Sequence, residues 1–222
     1  MSDLLQNQKR YYAERAPEYD DWWFRRGRYA LPPEREAAWN ADVAEVEAAL
    51  EAFAPRGEVV ELAAGTGLWT RHLARLTDRV VALDANSEVL ELNAARVHGN
   101  VEYALVDLFE WHPAEQFDLC FFGFWLSHVP DERFDRFWHA VRSALRPDGR
   151  VFLVDNAAGD PTHAWRRTAG DVETRTLADG REFDIVKRRW QPDELAERVR
   201  PLGFELDLRR SANGHFLYGG GR

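Results

Sequence analysis

Val59-Val60-Glu61-Leu62-Ala63-Ala64-Gly65-Thr66-Gly67 is an apolar run that ends in two closely spaced glycines. It predicts a strand over Glu58–Leu62, a tight turn, and a helix over 68–76. Gly65 and Gly67 lack a Cβ, so the backbone there can turn sharply and approach a ligand closely. Taken alone, the glycine pair says no more than that a strand turns into a helix. The flanking chain decides whether it also holds something.

On the carboxyl side, strands and helices alternate. Strands are expected over 79–83, 101–106, 117–122 and 150–155, and helices over 87–97 and 131–145. Ser87 is placed to cap its helix, and Pro147-Asp148-Gly149 is a turn. The run Phe117-Asp118-Leu119-Cys120-Phe121-Phe122 is nearly all apolar, as in a strand covered on both faces. Strands separated by helices of this length imply one doubly wound, mostly parallel α/β sheet. Further on, Asp179-Gly180 joins 174–178 to 181–189 as a hairpin. Pro192-Asp193-Glu194 opens a helix that Gly203 ends, and 204–209 with 215–218 form a final antiparallel pair. On the amino side, a polar helical segment rich in Tyr and Trp is broken at Pro17. A second helix, opened by Pro32-Pro33, runs over 34–53. The expected organisation is a single domain over 1–222: lid helices to 54, a core over 58–155, a substrate-side insert over 156–191, and a C-terminal helix and strand pair. Inserts of this kind lie above the carboxyl ends of the strands, where open α/β sheets bind ligands.

Two acids turn the glycine loop into a site. Asp84, with Ala85 beside it, closes the second strand, where a carboxylate can accept hydrogen bonds from both hydroxyls of a ribose. Asp107 closes the third, where it can accept from the amine of an adenine while Leu108 and Phe109 bracket the ring. Together they outline a nucleoside-shaped site. A nicotinamide dinucleotide would call for G-x-G-x-x-G. The third glycine position holds Thr70, next to Trp69, and that bulky pair blocks the seat of a pyrophosphate.

These residues resemble the class I S-adenosylmethionine-dependent methyltransferases, especially the bacterial small-molecule enzymes. Val60 to Gly67 is similar to the family's first motif and Val81-Ala82-Leu83-Asp84 to its second strand. Tyr103-Ala104-Leu105-Val106-Asp107 matches the adenine motif, and Leu145-Arg146-Pro147-Asp148-Gly149-Arg150 the turn before the fifth strand. One departure is Ala63, where the family usually has glycine. The resemblance implies a Rossmann-like seven-stranded sheet with its last strand antiparallel, S-adenosylmethionine as methyl donor and S-adenosylhomocysteine as product. It implies that Glu61 holds the amino acid end of the cofactor and that Phe124 contacts it through its backbone. It also implies that a lid tyrosine meets the cofactor carboxylate, with Tyr19, in Ala16-Pro17-Glu18-Tyr19-Asp20, the family-like candidate beside Tyr11 and Tyr12.

Methyl transfer from a sulfonium is an in-line displacement, so proximity and orientation do most of the work. A base is needed only where the acceptor must lose a proton. His128, in the loop after the fourth strand, is the best candidate, with an unperturbed pKa of about 6.5. The competing reading is that it packs on the loop and bonds backbone. His163 is a weaker candidate, and His72 reads as structural. Tyr12, Trp22 and Trp23 could wall a flat acceptor, or could anchor the lid to the core or to a partner subunit, which leaves a homodimer open. The expected acceptor is an oxygen or nitrogen of a small molecule. A rival reading is a methyltransferase-fold protein that binds cofactor or a partner without turnover.

Composition limits the partners. The 222 residues carry 29 Lys and Arg against 38 Asp and Glu, a net charge of −9. That disfavours nucleic acid, and no N-P-P-Y-like run follows the fourth strand. Arg25-Arg26-Gly27-Arg28 and Lys187-Arg188-Arg189 could each meet an anionic substrate, though solvated faces with local ion pairs are the ordinary reading. The sequence shows no apolar membrane span and no secretory signal, and the single Cys120 allows no internal disulfide. A cytoplasmic location is the default expectation.

Overall fold

In the computed structural model, which describes residues 2–159 and 168–222, the opening stretch is the central strand of a seven-stranded sheet. The chain begins with three helices, α1 (Ser2–Arg15), α2 (Tyr19–Trp23) and α3 (Pro33–Phe53). The alternating core follows: β1 (Glu58–Leu62), α4 (Thr70–Leu76), β2 (Arg79–Asp84), α5 (Ser87–Arg96), β3 (Val101–Leu105), β4 (Phe117–Gly123), α6 (Asp131–Ser143) and β5 (Leu145–Asn156). A small sheet of β6 (Thr168–Ala169), β7 (Val172–Thr176) and β8 (Glu182–Val186) comes next. The chain ends with α7 (Pro192–Val199), β9 (Leu206–Arg210) and β10 (Phe216–Gly221).

The main sheet has the order β3-β2-β1-β4-β5-β10-β9. Pairs among β1 to β5 are parallel, and β10 runs antiparallel to both β5 and β9. The expected doubly wound sheet with an antiparallel last strand is therefore present. Side chains alternate across it, as a period of two requires. Val60, Leu62, Cys120 and Phe122 face α6 and α7 in one core, whereas Val59, Leu119 and Phe121 face α3 and α4 in the other. The strand order reverses between β1 and β4, and the crevice beyond their carboxyl ends is where this topology binds ligands.

Several expected boundaries move, each for a local reason. The cap of α5 is Asn86, not Ser87, because the Asp84 carboxylate already holds the Asn86 N–H at 3.0 Å. Helix α4 starts at Thr70 rather than 68, since residues 63–69 form the turn. The turn at 147–149 is absorbed into β5 as an irregularity in its register with β4. Strand β10 runs on to Gly221, well past the expected 218, although glycine is a weak strand former. A Cβ at Gly219 would sit 2.1 Å from the Asp207 carbonyl oxygen, so that close pairing with β9 requires glycine. The hairpin turns through 178–180, where Leu177 N–H bonds Arg181 O at 2.9 Å and Gly180 takes φ +89°. Trp22 and Trp23 are both buried, packed with Trp39, Phe124 and Phe216, so they anchor the lid helices to the core. No helix among the described residues is long and apolar enough to cross a membrane.

Candidate active site

A cleft opens at the carboxyl ends of β1, β2, β3 and β4. Its walls include Ala63 and Gly65 after β1, Asp84, Ala85 and Asn86 at β2, Asp107, Leu108 and Phe109 after β3, and Gly123, Phe124 and Trp125 after β4. Helix α1 covers it with Gln8, Lys9 and Tyr12, and α2 with Tyr19. Eleven residues expected at a site meet here: Tyr12, Tyr19, Ala63, Gly65, Asp84, Ala85, Asp107, Leu108, Phe109, Phe124 and His128.

Two loops of these walls are strained, those after β1 and β4. Ala63 has φ +55° and Phe124 φ +56°, left-handed values that cost a non-glycine residue about 1–3 kcal/mol. Phe124 is held there by a 2.7 Å hydrogen bond from its N–H to Val154 O. Gly65, at φ +54°, would place a Cβ with nothing nearer than 4.0 Å, so its outer side faces open space. Gly67 differs from expectation. It does not line the cleft; a Cβ there would lie 2.5 Å from Asn93 Oδ1, so its glycine serves packing of the loop on α5.

Three carboxyls belong to the surroundings of the cleft. Asp84 accepts the N–H groups of Gly65 at 2.9 Å and of Asn86 at 3.0 Å, which fixes its orientation. Burial raises its pKa against the pull of those backbone donors. Asp107 accepts the Phe109 N–H at 3.0 Å through one oxygen, and its other oxygen pairs with Lys9 of the lid. Glu61 lies beneath the loop rather than on its surface, 2% exposed. Strand alternation turns it onto the face covered by α4, where burial pushes its carboxyl up to about 8 against the Thr70 hydrogen bond. Its Oε2 has no hydrogen-bond partner. A buried carboxyl with a spare oxygen matches a ligand that brings a cation, such as the ammonium of an amino acid.

The lid is fastened by polar contacts. Asp20 of α2 accepts the Thr66 hydroxyl at 2.5 Å and pairs with Arg96, tying α2 to the glycine loop. Gln8 donates to His128 O at 3.2 Å and accepts the Val186 N–H at 3.1 Å, bridging α1, the loop after β4 and the hairpin. Tyr11 packs on Phe183 of the hairpin and takes no place in the cleft.

His128 is held at both ring nitrogens. Nδ1 lies 2.6 Å from Val186 O, so it carries the proton, and Nε2 accepts the Tyr12 hydroxyl at 2.7 Å. Burial first, and then the charge of Lys187, hold its pKa well below the usual value, so the ring is neutral. Burial raises the Tyr12 hydroxyl well above its ordinary value and Tyr19 to about 12. The expected backbone bond and the expected place at the site are thus both present.

Behind the cleft lies a second chamber that shares Tyr12, Tyr19, Phe124 and His128 with it. Its other walls are Arg15, Trp22, Asn156, Arg175 and Lys187. Lys187 donates to Ser127 Oγ at 2.6 Å and lies 3.3 Å from Asp155 Oδ1, while Ser127 donates to the same oxygen at 2.8 Å. Of the expected substrate-side residues, Tyr12, Trp22 and His128 reach this chamber. Trp23 does not, because its ring packs among Trp39, Trp69 and Phe124. His163 lies outside the described residues. The four polar residues Arg15, Asn156, Arg175 and Lys187 were not among the expected site residues. Lys187 alone carried a signal, as part of a basic cluster read as a solvated face.

Residues 59–149 match the family model of a methyltransferase domain. The chain is similar to DhpI as seen in a DhpI–SAM–HEP complex, with 40% identity and a TM-score of 0.81 over 99% of this chain and 97% of that one. The DhpI–SAH complex gives the same 40% identity and TM-score 0.81 over 100% and 98% of the two chains. The fold is also that of the 1,6-didemethyltoxoflavin-N1-methyltransferase of Burkholderia thailandensis, at 21% identity and a TM-score of 0.59 over 96% and 88%. Comparison with curated protein sequences gave no match.

Proposed function

The chain belongs to the S-adenosylmethionine-dependent methyltransferases, and on that premise we propose that it methylates an oxygen or nitrogen of a small molecule held in the chamber behind the cofactor cleft. The observation that carries this reading is that the two spaces adjoin, with Tyr12, Tyr19, Phe124 and His128 lining both. A donor in the cleft and an acceptor in the chamber would lie side by side at those residues, the proximity that in-line displacement requires.

The bound cofactor supplies a methyl group already activated on sulfur. The chain's residues bind and orient around it. Asp84 takes the ribose hydroxyls with the lone pairs its backbone donors leave free. Asp107, once Lys9 yields, takes the adenine amine, and Leu108 and Phe109 flank the ring. Glu61 offers Oε2 to the ammonium, and Tyr19 its hydroxyl to the carboxylate. Ala63, Gly65, Ala85 and Phe124 present backbone. Tyr12 and Trp22 shape the acceptor side. For an acceptor that carries a proton, the neutral His128 is the receiving group, through the hydroxyl of Tyr12. The fastened lid excludes water from the transfer.

Calorimetry with S-adenosylhomocysteine, followed by mass spectrometry of a compound library incubated with S-adenosylmethionine, tests the proposal. Tight binding with a 14-mass-unit gain on a small molecule is the expected outcome, that gain being about one CH2. Binding with no turnover on any compound would favour a cofactor-binding protein without catalysis.

A further inference from the structure

Beneath the glycine loop runs a buried chain of three polar side chains from three elements, Glu61 of β1, Thr70 of α4 and Asn93 of α5. They are 2%, 0% and 0% exposed, a depth at which each donor and acceptor needs a partner. One carbonyl sets the direction of every bond in the chain. Gly65 O can only accept, and it lies 3.3 Å from one end of the Asn93 amide, so that end is the nitrogen. The same nitrogen lies 2.8 Å from Thr70 Oγ1, which therefore accepts. A hydroxyl carries a single proton. With Asn93 donating to its oxygen, Thr70 gives that proton to Glu61, its other hydrogen-bond partner. Turning the amide over would set its oxygen against Gly65 O, and Oδ1 already faces the Tyr103 hydroxyl at 3.2 Å. One oxygen of Glu61 is thus engaged by Thr70, and Oε2 is left buried without a partner.

We propose that Thr70 and Asn93 are positioning residues for the cofactor: Asn93 directs the Thr70 proton onto one oxygen of Glu61, so that Oε2 is the oxygen presented to the cofactor ammonium, and the same amide fixes the Gly65 carbonyl of the cleft wall. This rests on the methyltransferase reading above. Neither residue lines the cleft, so each acts through Glu61 or Gly65.

The Thr70 bond does more than aim the carboxyl, because a donor to a carboxylate favours its charged form. Burial pushes Glu61 up to about 8, and the Thr70 hydroxyl pulls against that rise. The charge of Asp84 on β2 adds to the rise. Tyr103 of β3 also faces Glu61, its hydroxyl held above its usual value first by burial and then by Glu61. On α4, Arg71 and His72 turn to Glu47 of α3, and Arg75 lies against His72. Arg96 of α5 pairs with Asp20. An ammonium pairs with the charged carboxylate, so cofactor binding at neutral pH expels the Glu61 proton. Without the Thr70 hydroxyl that expulsion is harder.

The test is calorimetry of S-adenosylhomocysteine binding to the wild type, Thr70→Val and Thr70→Ser across about pH 6 to 9. The ligand's own amine titrates alike in every case, so differences between the profiles report the carboxyl. In the wild type, affinity should rise with pH as Glu61 ionises. The nearly isosteric Thr70→Val should move that rise about one pH unit higher and weaken binding about tenfold at neutral pH, with the two curves drawing together at the alkaline end. Thr70→Ser keeps the hydroxyl and should restore the wild-type profile. Asn93→Asp replaces the donor with an acceptor, draws the Thr70 proton away from Glu61, and should shift the profile in the same direction as Thr70→Val. Should Thr70→Val fail to fold, Thr70→Ala reads the same quantity. A flat wild-type profile, an unshifted one in the valine variant, or an equal loss of affinity at every pH would overturn the proposal and leave the methyltransferase reading standing. No binding of S-adenosylhomocysteine by the wild type would overturn both.

Discussion

The cofactor cleft and the chamber behind it are opposite in charge and in construction. The cleft carries Asp84 and Asp107 on its walls and has Glu61 beneath its glycine loop, and each comes from the end of a strand or the turn beyond it. The chamber is basic, and its Arg15, Asn156, Arg175 and Lys187 come from α1, β5, β7 and the chain after β8. A cofactor with a cationic ammonium and sulfonium suits the first half. The shared aromatic wall separates two fields of opposite sign.

Removing one partner of the buried pair in the basic half should have the largest effect. Asp155→Asn leaves Lys187 without its counter-ion and is expected to cost about 3 kcal/mol or more. Denaturant midpoints read this, and a double variant with Lys187→Met should recover much of it. A loss below 1 kcal/mol, roughly the level of an exposed pair, would show that the chamber is far wetter than its burial implies.

In the acidic half, Asp84→Ala should weaken S-adenosylmethionine binding by about 2 kcal/mol, through lost ribose hydrogen bonds and a loosened loop. Unchanged affinity in calorimetry would remove Asp84 from the cofactor site.

Glu61 sets a pH dependence. Burial pushes its carboxyl up from 4.5 to about 8, so the folded protein holds a proton that the unfolded chain releases. The stability it contributes is fully present below the unfolded value and is lost as pH rises towards 8. Within that window the slope is about 1.4 kcal/mol per pH unit for one proton. Urea unfolding of the cofactor-free protein at several pH values should show this slope, and Glu61→Gln should flatten it. An unchanged slope in that variant would assign the titration to another group. Saturating S-adenosylmethionine should flatten it too if Glu61 meets the ammonium.

The smallest expected effect is a gain. Ala63 at φ +55° bears strain that glycine does not, so Ala63→Gly should stabilise by about 1 kcal/mol. A fall in melting temperature would show that the Ala63 methyl packs usefully against the loop.

The fold and the acidic half were legible because their information is local. An apolar run, a turn that needs glycine, and an acid at a strand end all lie within a few residues, and the strand period then fixes which side chains face the cleft. Even so, Gly67 and Glu61 were placed only by contacts across the fold. Gly67 faces Asn93 of α5, and Glu61 sits under the loop near Thr70 rather than on it.

The basic half was not legible. Arg15 in a polar helix and Lys187 in a basic run look like solvated residues, and Arg188, next to Lys187 in the chain, is one, pairing with Asp131 and Glu194 on the surface. Its neighbour Lys187 turns inward to Asp155, as alternation along an extended chain allows, yet nothing local says which side is inside. That is settled when the hairpin folds onto α1 through Tyr11 and Phe183, with Gln8 bridging the two. The sequence by itself determined the sheet, the glycine turn and the strand-end acids, since each follows from short-range periodicity and backbone sterics. Tertiary structure alone decided which cations lose their water and line the chamber, because burial of a charge depends on what distant chain closes over it.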